Sequence, residues 1–528
     1  KWQVLFNVKS NQVLNLYEKD AHETMAPVNG PSCNFIHDVT GKNDCFIHHE
    51  DDFNDFKRDK IIPHMVSRSG PCVAVADLNR DGLDDYYVSG AKEQAGALFM
   101  QQPNGEFKQT AVAFTSHPNK DDETAVVFAD VSGDSLPDFI TGIGSNAEWP
   151  TDTFQHLAIW INKGGLKFEK AGENVLPVIK YPVGTISAAD YDGDGDIDLF
   201  IGCRIVPGLY GVAPTSYLLE NRGGRFYDVT EEKAPGLRKL GMITSSVFAD
   251  IDGDGEKELI VAGEFIPVSI FKRIKNKWED ITVSCGLGNT NGLWNCLKIV
   301  DINNDGSPDI LAGNWGDNSI WRATPDEPLS LWLNDFDHNG GLDPILFHYL
   351  DHVNAPFVNR DLFCRQMPYY QNKFNNYESY ARCAADDIFD PKVKQASTFL
   401  YAYTLHTSLF INDGKGHFKL KELPYYFQMA PVNSFIVYDF DNNGTQDILP
   451  LGNTNSNFYD QGDIDALRGK IFYGDGNGNF KPGILVDEMN KNYIVNSAAL
   501  IRNIKFKNDM IITGVNNDTS RVYLISKP

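Results

Sequence analysis

From residue 71 onward, short apolar runs alternate with turn-forming clusters at a steady spacing, the mark of repeated strand hairpins. Residues 73–76, 126–129, 185–189, 245–249, 297–300, 331–333 and 435–438 are apolar runs that lead into an acidic loop. A second apolar run leads out, commonly to a glycine, as in Phe139-Ile140-Thr141-Gly142 and Leu259-Ile260-Val261-Ala262-Gly263. Further on stands a hairpin: an apolar strand, an Asn/Gly turn, then an aromatic residue. Asn162 to Phe168, Asn221 to Phe226 and Asn412 to Phe418 are three examples, with the asparagines taken as turn punctuation. Four strands per unit of about 50–60 residues predict an all-β fold, a β-propeller with four-stranded blades.

Seven blades are favoured over eight. An eighth unit at the C-terminal end keeps strands (504–506, 510–514, 522–524) but has no acidic loop. The loops at Asp301 and Asp335 lie so close that they are expected to share one abbreviated blade. An insertion at about 351–400 breaks the repeat; it carries weak helical spacing between Asp361 and Ala385 and is expected to project from the binding face. Before the repeat, residues 1–19 give two short strands without a core. Residues 20–70 form a linker in which Phe35-Ile36-His37-Asp38-Val39-Thr40 resembles Phe226-Tyr227-Asp228-Val229-Thr230, so an outer strand is expected there. The His48-His49-Glu50-Asp51-Asp52 cluster is expected to be a solvated loop rather than a metal site.

The loops carry the chemistry. In Asp190-Tyr191-Asp192-Gly193-Asp194-Gly195-Asp196-Ile197-Asp198, oxygen side chains alternate and a glycine stands sixth. Calcium takes six to eight hard oxygen ligands, and such a loop supplies them. The flanks are short and strand-like, so this is no EF-hand. The side-chain ligands expected are Asp190, Asp192, Asp194 and Asp198, then Asp250, Asp252, Asp254 and Glu258, these two sets holding their ions best. Asp77, Asn79, Asp81 and Asp85 form a mixed set, as do Asp301, Asn303, Asp305 and Asp309. Asp335, Asp337, Asn339 and Asp343, and Asp439, Asp441, Asn443 and Asp447, are mixed likewise. The weakest set is Asp130, Ser132, Asp134 and Asp138, where Ser135 replaces the sixth-position glycine. Backbone carbonyls at position seven would come from Leu83, Leu136, Asp196, Glu256, Ser307, Gly341 and Thr445. A single loop of this kind could be a turn and nothing more; seven in one register point to up to seven structural Ca2+ ions. The hard, flexible ligands favour calcium over magnesium, and no soft-ligand cluster argues for zinc.

The net charge of −24 argues against nucleic acid as a partner. Seven divalent ions would bring it to about −10. Of eight cysteines, Cys33 with Cys45, Cys285 with Cys296, and Cys364 with Cys383 are close enough in sequence for local disulfides in an oxidising compartment; Cys72 and Cys203 are expected as buried thiols. No stretch has the roughly 18 apolar residues of a membrane span. The chain opens inside a strand-like pattern, so an upstream part with an export signal or lipid anchor is expected.

The seven loops with their following Phe/Ile/Leu–Gly strands resemble FG-GAP, or VCBS, repeats of integrin alpha-subunit propellers and secreted bacterial proteins. More closely, the chain resembles the C-terminal propeller of large bacterial VCBS proteins related to cartilage acidic protein, and residues 1–19 resemble the tail of a preceding ASPIC/UnbV-like domain. The resemblance implies a calcium-stabilised, secreted or cell-surface propeller used for binding or adhesion, with a protein, peptide or glycan as partner, and a place in a bacterial outer-membrane complex. No Arg-Gly-Asp tripeptide is present. Contact candidates are Tyr369, Tyr370, Phe374, Tyr377 and Tyr380 of the insertion and the Trp149 and Trp315 loops. The alternatives are a carbohydrate-active lyase or hydrolase, for which Glu148, Asp152, Asp317 and Asp326 are the available carboxylates, and a structural subunit of a surface uptake complex. No catalytic pair stands out, so a non-enzymatic role is expected.

Overall fold

Each acidic loop is the tip of an antiparallel hairpin. Val73–Ala76 pairs with Asp85–Val88 across the Asp77 loop, and Val183–Ala189 pairs with Asp198–Cys203 across the Asp190 loop. These relations come from a computed structural model that describes residues 33, 35–116, 122–147, 154–458, 461–502 and 508–526. The strands expected within 1–19 and at 504–506, and Glu148, Trp149 and Asp152, lie outside the described residues.

The described strands form eight antiparallel sheets, seven built on a four-strand path and one with a short fifth strand beside it. The first strands of seven sheets are Val73–Ala76, Glu123–Ala129, Val183–Ala189, Met242–Ala249, Cys296–Val300, Val432–Tyr438 and Val495–Ile501. Each packs on the next and the last packs on the first. The second strand of each of these seven sheets is then sandwiched between two neighbouring sheets. Successive residues of a strand point to opposite faces, so both must be apolar, which is why these strands are unbroken apolar runs. Phe139 faces Tyr87 in one intersheet core and Ile140 faces Leu199 in the next. Phe200 then meets Leu259, Ile260 meets Ile310, and Leu311 meets Ile448. Leu449 meets Ile511, and Ile512 meets Tyr86, the neighbour of Tyr87. The circuit of cores closes on itself.

The closing sheet takes its outermost strand from the other end of the chain. Ile36–Asp38 pairs with Arg521–Ile525, so the expected outer strand exists and ties the two ends together. Its likeness to the Phe226 stretch has a geometric basis. The Thr40 and Thr230 amides each donate to the aspartate two residues earlier, and each hydroxyl accepts an amide of the third strand, from Val522 and Leu218. The first described strand of this last sheet is Val495–Ile501, which pairs with Asp509–Val515.

The Asp301 and Asp335 loops do not share a sheet. The Asp301 loop joins Cys296–Val300 to Asp309–Gly313, and the third strand of that sheet is Ser408–Asn412. Everything between, residues 314–407, is inserted. It holds the eighth sheet, with strands Leu329–Asn334, Asp343–Leu350, Val353–Pro356 and Thr398–Ala402, and a helical segment whose longest helix is Arg360–Gln366. The repeat is therefore interrupted over a longer stretch than 351–400, and no unit is abbreviated. In an antiparallel sheet the first and third turns lie at one end and the second connection at the other, so this insert leaves at the end opposite the Asp301 loop.

Glycines that end second strands are set by close approach rather than by turn geometry. A Cβ built on Gly313 would lie 2.4 Å from the Val432 carbonyl oxygen on the first strand of the next sheet, and one on Gly202 would lie 2.6 Å from Ile243. Backbone cannot yield as a side-chain tip can. Gly313→Ala is expected to cost about 1–3 kcal/mol through overpacking, read as a lowered midpoint in urea unfolding.

All eight cysteines are free thiols, which corrects the expected disulfides. Cys285 follows the outermost strand Lys277–Asp280 of one sheet, whereas Cys296 opens the innermost strand of the next. Sequence proximity did not bring them together. Cys203 is fully buried, as expected, and Cys72 is half-buried with its thiol donating to the Thr124 carbonyl at 3.1 Å.

Candidate metal centres

The seven loops share one hydrogen-bond scheme. The first aspartate folds the loop over itself by accepting amides further along it. Asp190 Oδ1 accepts from the Gly193 amide at 2.7 Å and Oδ2 from the Gly195 amide at 3.0 Å. Asp250 does the same with Gly253 and Gly255 at 2.7 and 2.9 Å. Asp77, Asp301, Asp335 and Asp439 accept from Gly82, Gly306, Gly340 and Gly444, each at 2.9 Å. The sixth position is left-handed, with φ of 95° at Gly195 and 89° at Gly255. Ser135 takes the same region at φ 70°, which a side chain makes strained. The Asp130 loop keeps the scheme, with Ser135 donating to Asp130 Oδ2 at 2.6 Å, but at that cost.

Position five receives the amide of position seven. Leu83, Leu136, Asp196, Glu256, Ser307, Gly341 and Thr445 donate at 2.7–2.9 Å to Asp81, Asp134, Asp194, Asp254, Asp305, Asn339 and Asn443 respectively. Position nine is buried and acts as a clasp. Asp198 accepts the Tyr191 amide on one oxygen (3.3 Å) and the Asn221 amide of the third strand on the other (2.8 Å). Asp85, Asp138, Asp309 and Asp447 do likewise with Gln101, Asn162, Asn412 and Gly474. In the inserted sheet, Asp343 takes the Phe336 amide at 3.0 Å and the Gln366 side chain at 3.0 Å.

The asparagines at the ends of third strands do more than punctuate turns. Asn162, Asn221 and Asn412 each turn their Nδ2 to the position-two carbonyl of the preceding sheet's loop: Leu78 at 3.1 Å, Val131 at 2.9 Å and Ile251 at 2.7 Å. The Asp77, Asp130 and Asp250 loops are thus each stitched to the sheet that follows. Their recurrence in one register, just before Gly or Gly-containing turns, was the available signal.

Among the described residues, three carboxylates come together in four places. Asp190, Asp192 and Asp194 form one set, and Asp250, Asp252 and Asp254 another, each with ligand oxygens within 4.8 Å of one another. Asp335, Asp337 and Asp343, and Asp439, Asp441 and Asp447, are the other two. In the Asp77 and Asp301 loops the position-three amides Asn79 and Asn303 instead donate to Asp81 and Asp305, at 3.1 and 2.8 Å. The Asp190 set fits a hard divalent cation: all donors are oxygen, and Asp192 Oδ1 is buried without a hydrogen-bond partner among the described residues. A cation bound there would neutralise carboxylates that otherwise repel one another.

The Asp250 loop departs from the expectation that it ranks with the Asp190 loop. Lys272, from the third strand of its own sheet, places its ammonium on Asp252, on Asp254 at 2.7 Å and on Glu258 at 3.1 Å. A tethered monovalent cation stands among the ligands. Lys272→Met is expected to raise the divalent affinity of this loop, adding one site of higher affinity in a calorimetric titration with calcium.

Burial pushes the position-nine carboxyls up, against the pull of the amides they accept: Asp85 and Asp198 to about 7, Asp309 and Asp447 to about 6. The folded chain then holds protons that an unfolded aspartate, with its ordinary value of 3.8, has released. Stability from these groups is greatest below about 4 and falls as pH rises through 6 to 7. With chelator present, the melting temperature is expected to fall between pH 5 and 7.5; with calcium, which binds the ionised form, the fall should vanish or reverse.

The remaining sequence candidates divide. Tyr370, Phe374 and Tyr380 are buried in the core of the insert, so they are not surface contact residues; Trp315 is also buried, in a separate core, and Tyr369 and Tyr377 are exposed. Asp317 pairs with His406 Nε2 at 2.8 Å, and Asp326 is exposed. His48 and Glu50 are buried rather than solvated, with Glu50 bonded to Asn516 Nδ2 at 2.5 Å.

Residues 77–141 match the FG-GAP-like repeat family. That stretch runs from the first acidic loop through the second, the unit on which the loop reading rests. No curated protein sequence matches the chain. Among solved structures, the chain is similar to "BBS1N in complex with ARL6DN" (11% identity, 90% of this chain and 97% of that one, TM-score 0.39). It is also similar to Sqt1 of Saccharomyces cerevisiae (11% identity, 89% and 99%, TM-score 0.41) and to "YCF48 bound to D1 peptide" (8% identity, 92% and 100%, TM-score 0.38). No helix among the described residues is long and apolar enough to cross a membrane.

Proposed function

We propose that the chain is a calcium-stabilised binding module of the cell exterior, whose acidic loops are structural and whose partner is met where the repeat is broken. The observation that carries this reading is the shared loop scheme: five acidic tips are clasped at position nine to the third strand of their own sheet, and three tips are stitched to the following sheet by asparagines. Groups so committed to holding the fold are poorly placed for chemistry on a substrate. The insert at 314–407 leaves from the opposite end of its sheet and presents Tyr369 and Tyr377, 75% and 65% exposed. Exposed tyrosines give large contact area at low entropy cost, for a protein or a glycan. A place in an outer-membrane or uptake complex is compatible with the same surface.

The test is a glycan array and a peptide array probed with the calcium-loaded protein and with its Tyr369→Ala/Tyr377→Ala variant. Loss of a specific signal in the variant, with unchanged melting temperature, supports the reading. Turnover of a bound glycan into product would replace it with the enzymatic alternative.

A further inference from the structure

Where the seven first strands converge, at the end away from the acidic tips, they line an open cavity of about 320 Å3. That lies at the lower end of the range of small-molecule sites. The segment before the first strand crosses this cavity. Its Met65 amide donates to the Ser456 carbonyl at 2.7 Å on one side, while His64 Nε2 lies 2.9 Å from Glu264 on the other. In a chain of net charge −24 the lining contains Arg68 and Arg204 and no Asp or Glu.

The lining is also one-sided in its hydrogen bonding. Arg68 Nε, Arg204 Nη1, Asn295 Nδ2 and Trp315 Nε1 are buried without a hydrogen-bond partner among the described residues; no side-chain oxygen of the lining is in that position. Arg204 is held rigid from behind. Its Nη2 donates to Glu264 Oε1 at 2.5 Å, and Tyr210 donates to Glu264 Oε2 at 2.5 Å. Glu264 thereby neutralises one cation's charge while its second guanidinium nitrogen stays free of protein partners. Arg68 has the buried Glu50 as its charged neighbour. Buried donors without acceptors are costly, and a guanidinium presents its N–H groups in a plane that matches a carboxylate or phosphate.

We infer that the central cavity is a binding site for a small oxyanion, a carboxylate or phosphate group received by Arg68, Arg204 and the Trp315 indole N–H. The site is independent of the acidic loops and stands whether or not the chain is an adhesion module.

Isothermal titration of the full chain in calcium-containing buffer tests this, with succinate, methylphosphonate and the uncharged succinamide as ligands. Saturable 1:1 binding of succinate or methylphosphonate is expected, the better of the two naming the group, with none for succinamide. Arg68→Gln and Trp315→Phe should each weaken binding by about tenfold, the loss of one charge-assisted or buried hydrogen bond. These two variants are chosen because Arg204 also holds Glu264 and its removal endangers the fold. Equal binding of succinamide, no saturable binding of either anion, or affinity unchanged in both variants would overturn the inference.

Discussion

Chelation of divalent cations is expected to lower the melting temperature of this protein by on the order of 10 °C. The estimate rests on three loops. At free calcium of about 100 times the dissociation constant, one site contributes about 2.7 kcal/mol, so the Asp190, Asp335 and Asp439 clusters together give roughly 8 kcal/mol. The three are counted because each gathers three carboxylates without a competing cation. The Asp250 cluster is left out because Lys272 already stands in it. The loops are folded by their own Asp-to-amide bonds, so chelation should leave the strands in place and loosen the tips. A scan with and without chelator, at pH 7.5 and low salt, reads the shift; re-addition of calcium should restore it and magnesium should restore less.

The second large effect is at Glu264. This carboxylate is buried and in contact with Arg204, Tyr210 and His64. Burial alone would raise it, yet Arg204 and His64 hold it well below the usual carboxylate range, so it is ionised. Glu264→Gln leaves Arg204 as a buried charge without its counter-ion and is expected to cost about 3–5 kcal/mol. Urea unfolding reads the loss. It should exceed that of Gly313→Ala, and Arg204→Met/Glu264→Gln together should recover part of it, since the stranded charge is then gone.

The architecture was legible because its two signals are local. Tyr86-Tyr87, Phe139-Ile140 and Leu199-Phe200 must each be apolar on both faces to sit between two sheets, and that is visible as an unbroken run. The acidic loops were legible because the nine positions of the scheme lie in one stretch. What was not legible depends on contacts between distant stretches. Lys272 reaches the Asp250 loop from a strand that starts after the loop's own second strand, and nothing in the loop announces it. The insert hides its true length because Ala312 and Ser408 are paired neighbours across nearly the whole of it. The tyrosines and phenylalanine at 370, 374 and 380 look like a contact surface in sequence, but Phe363 and Phe389 gather them into a separate core. For Cys285 and Cys296 the spacing misled for the same reason: nearness along the chain there crosses from the outer edge of one sheet to the inner edge of the next.

The central claim is that the acidic loops are metal sites built into the circuit of sheets. It is tested most directly by counting calcium ions per chain, by equilibrium dialysis with elemental analysis, in the wild type and in Asp192→Asn. At least three ions per wild-type chain are expected, with one fewer at limiting calcium in Asp192→Asn. A chain that retains no calcium at millimolar free concentration, or whose count is untouched by that substitution, would contradict the account.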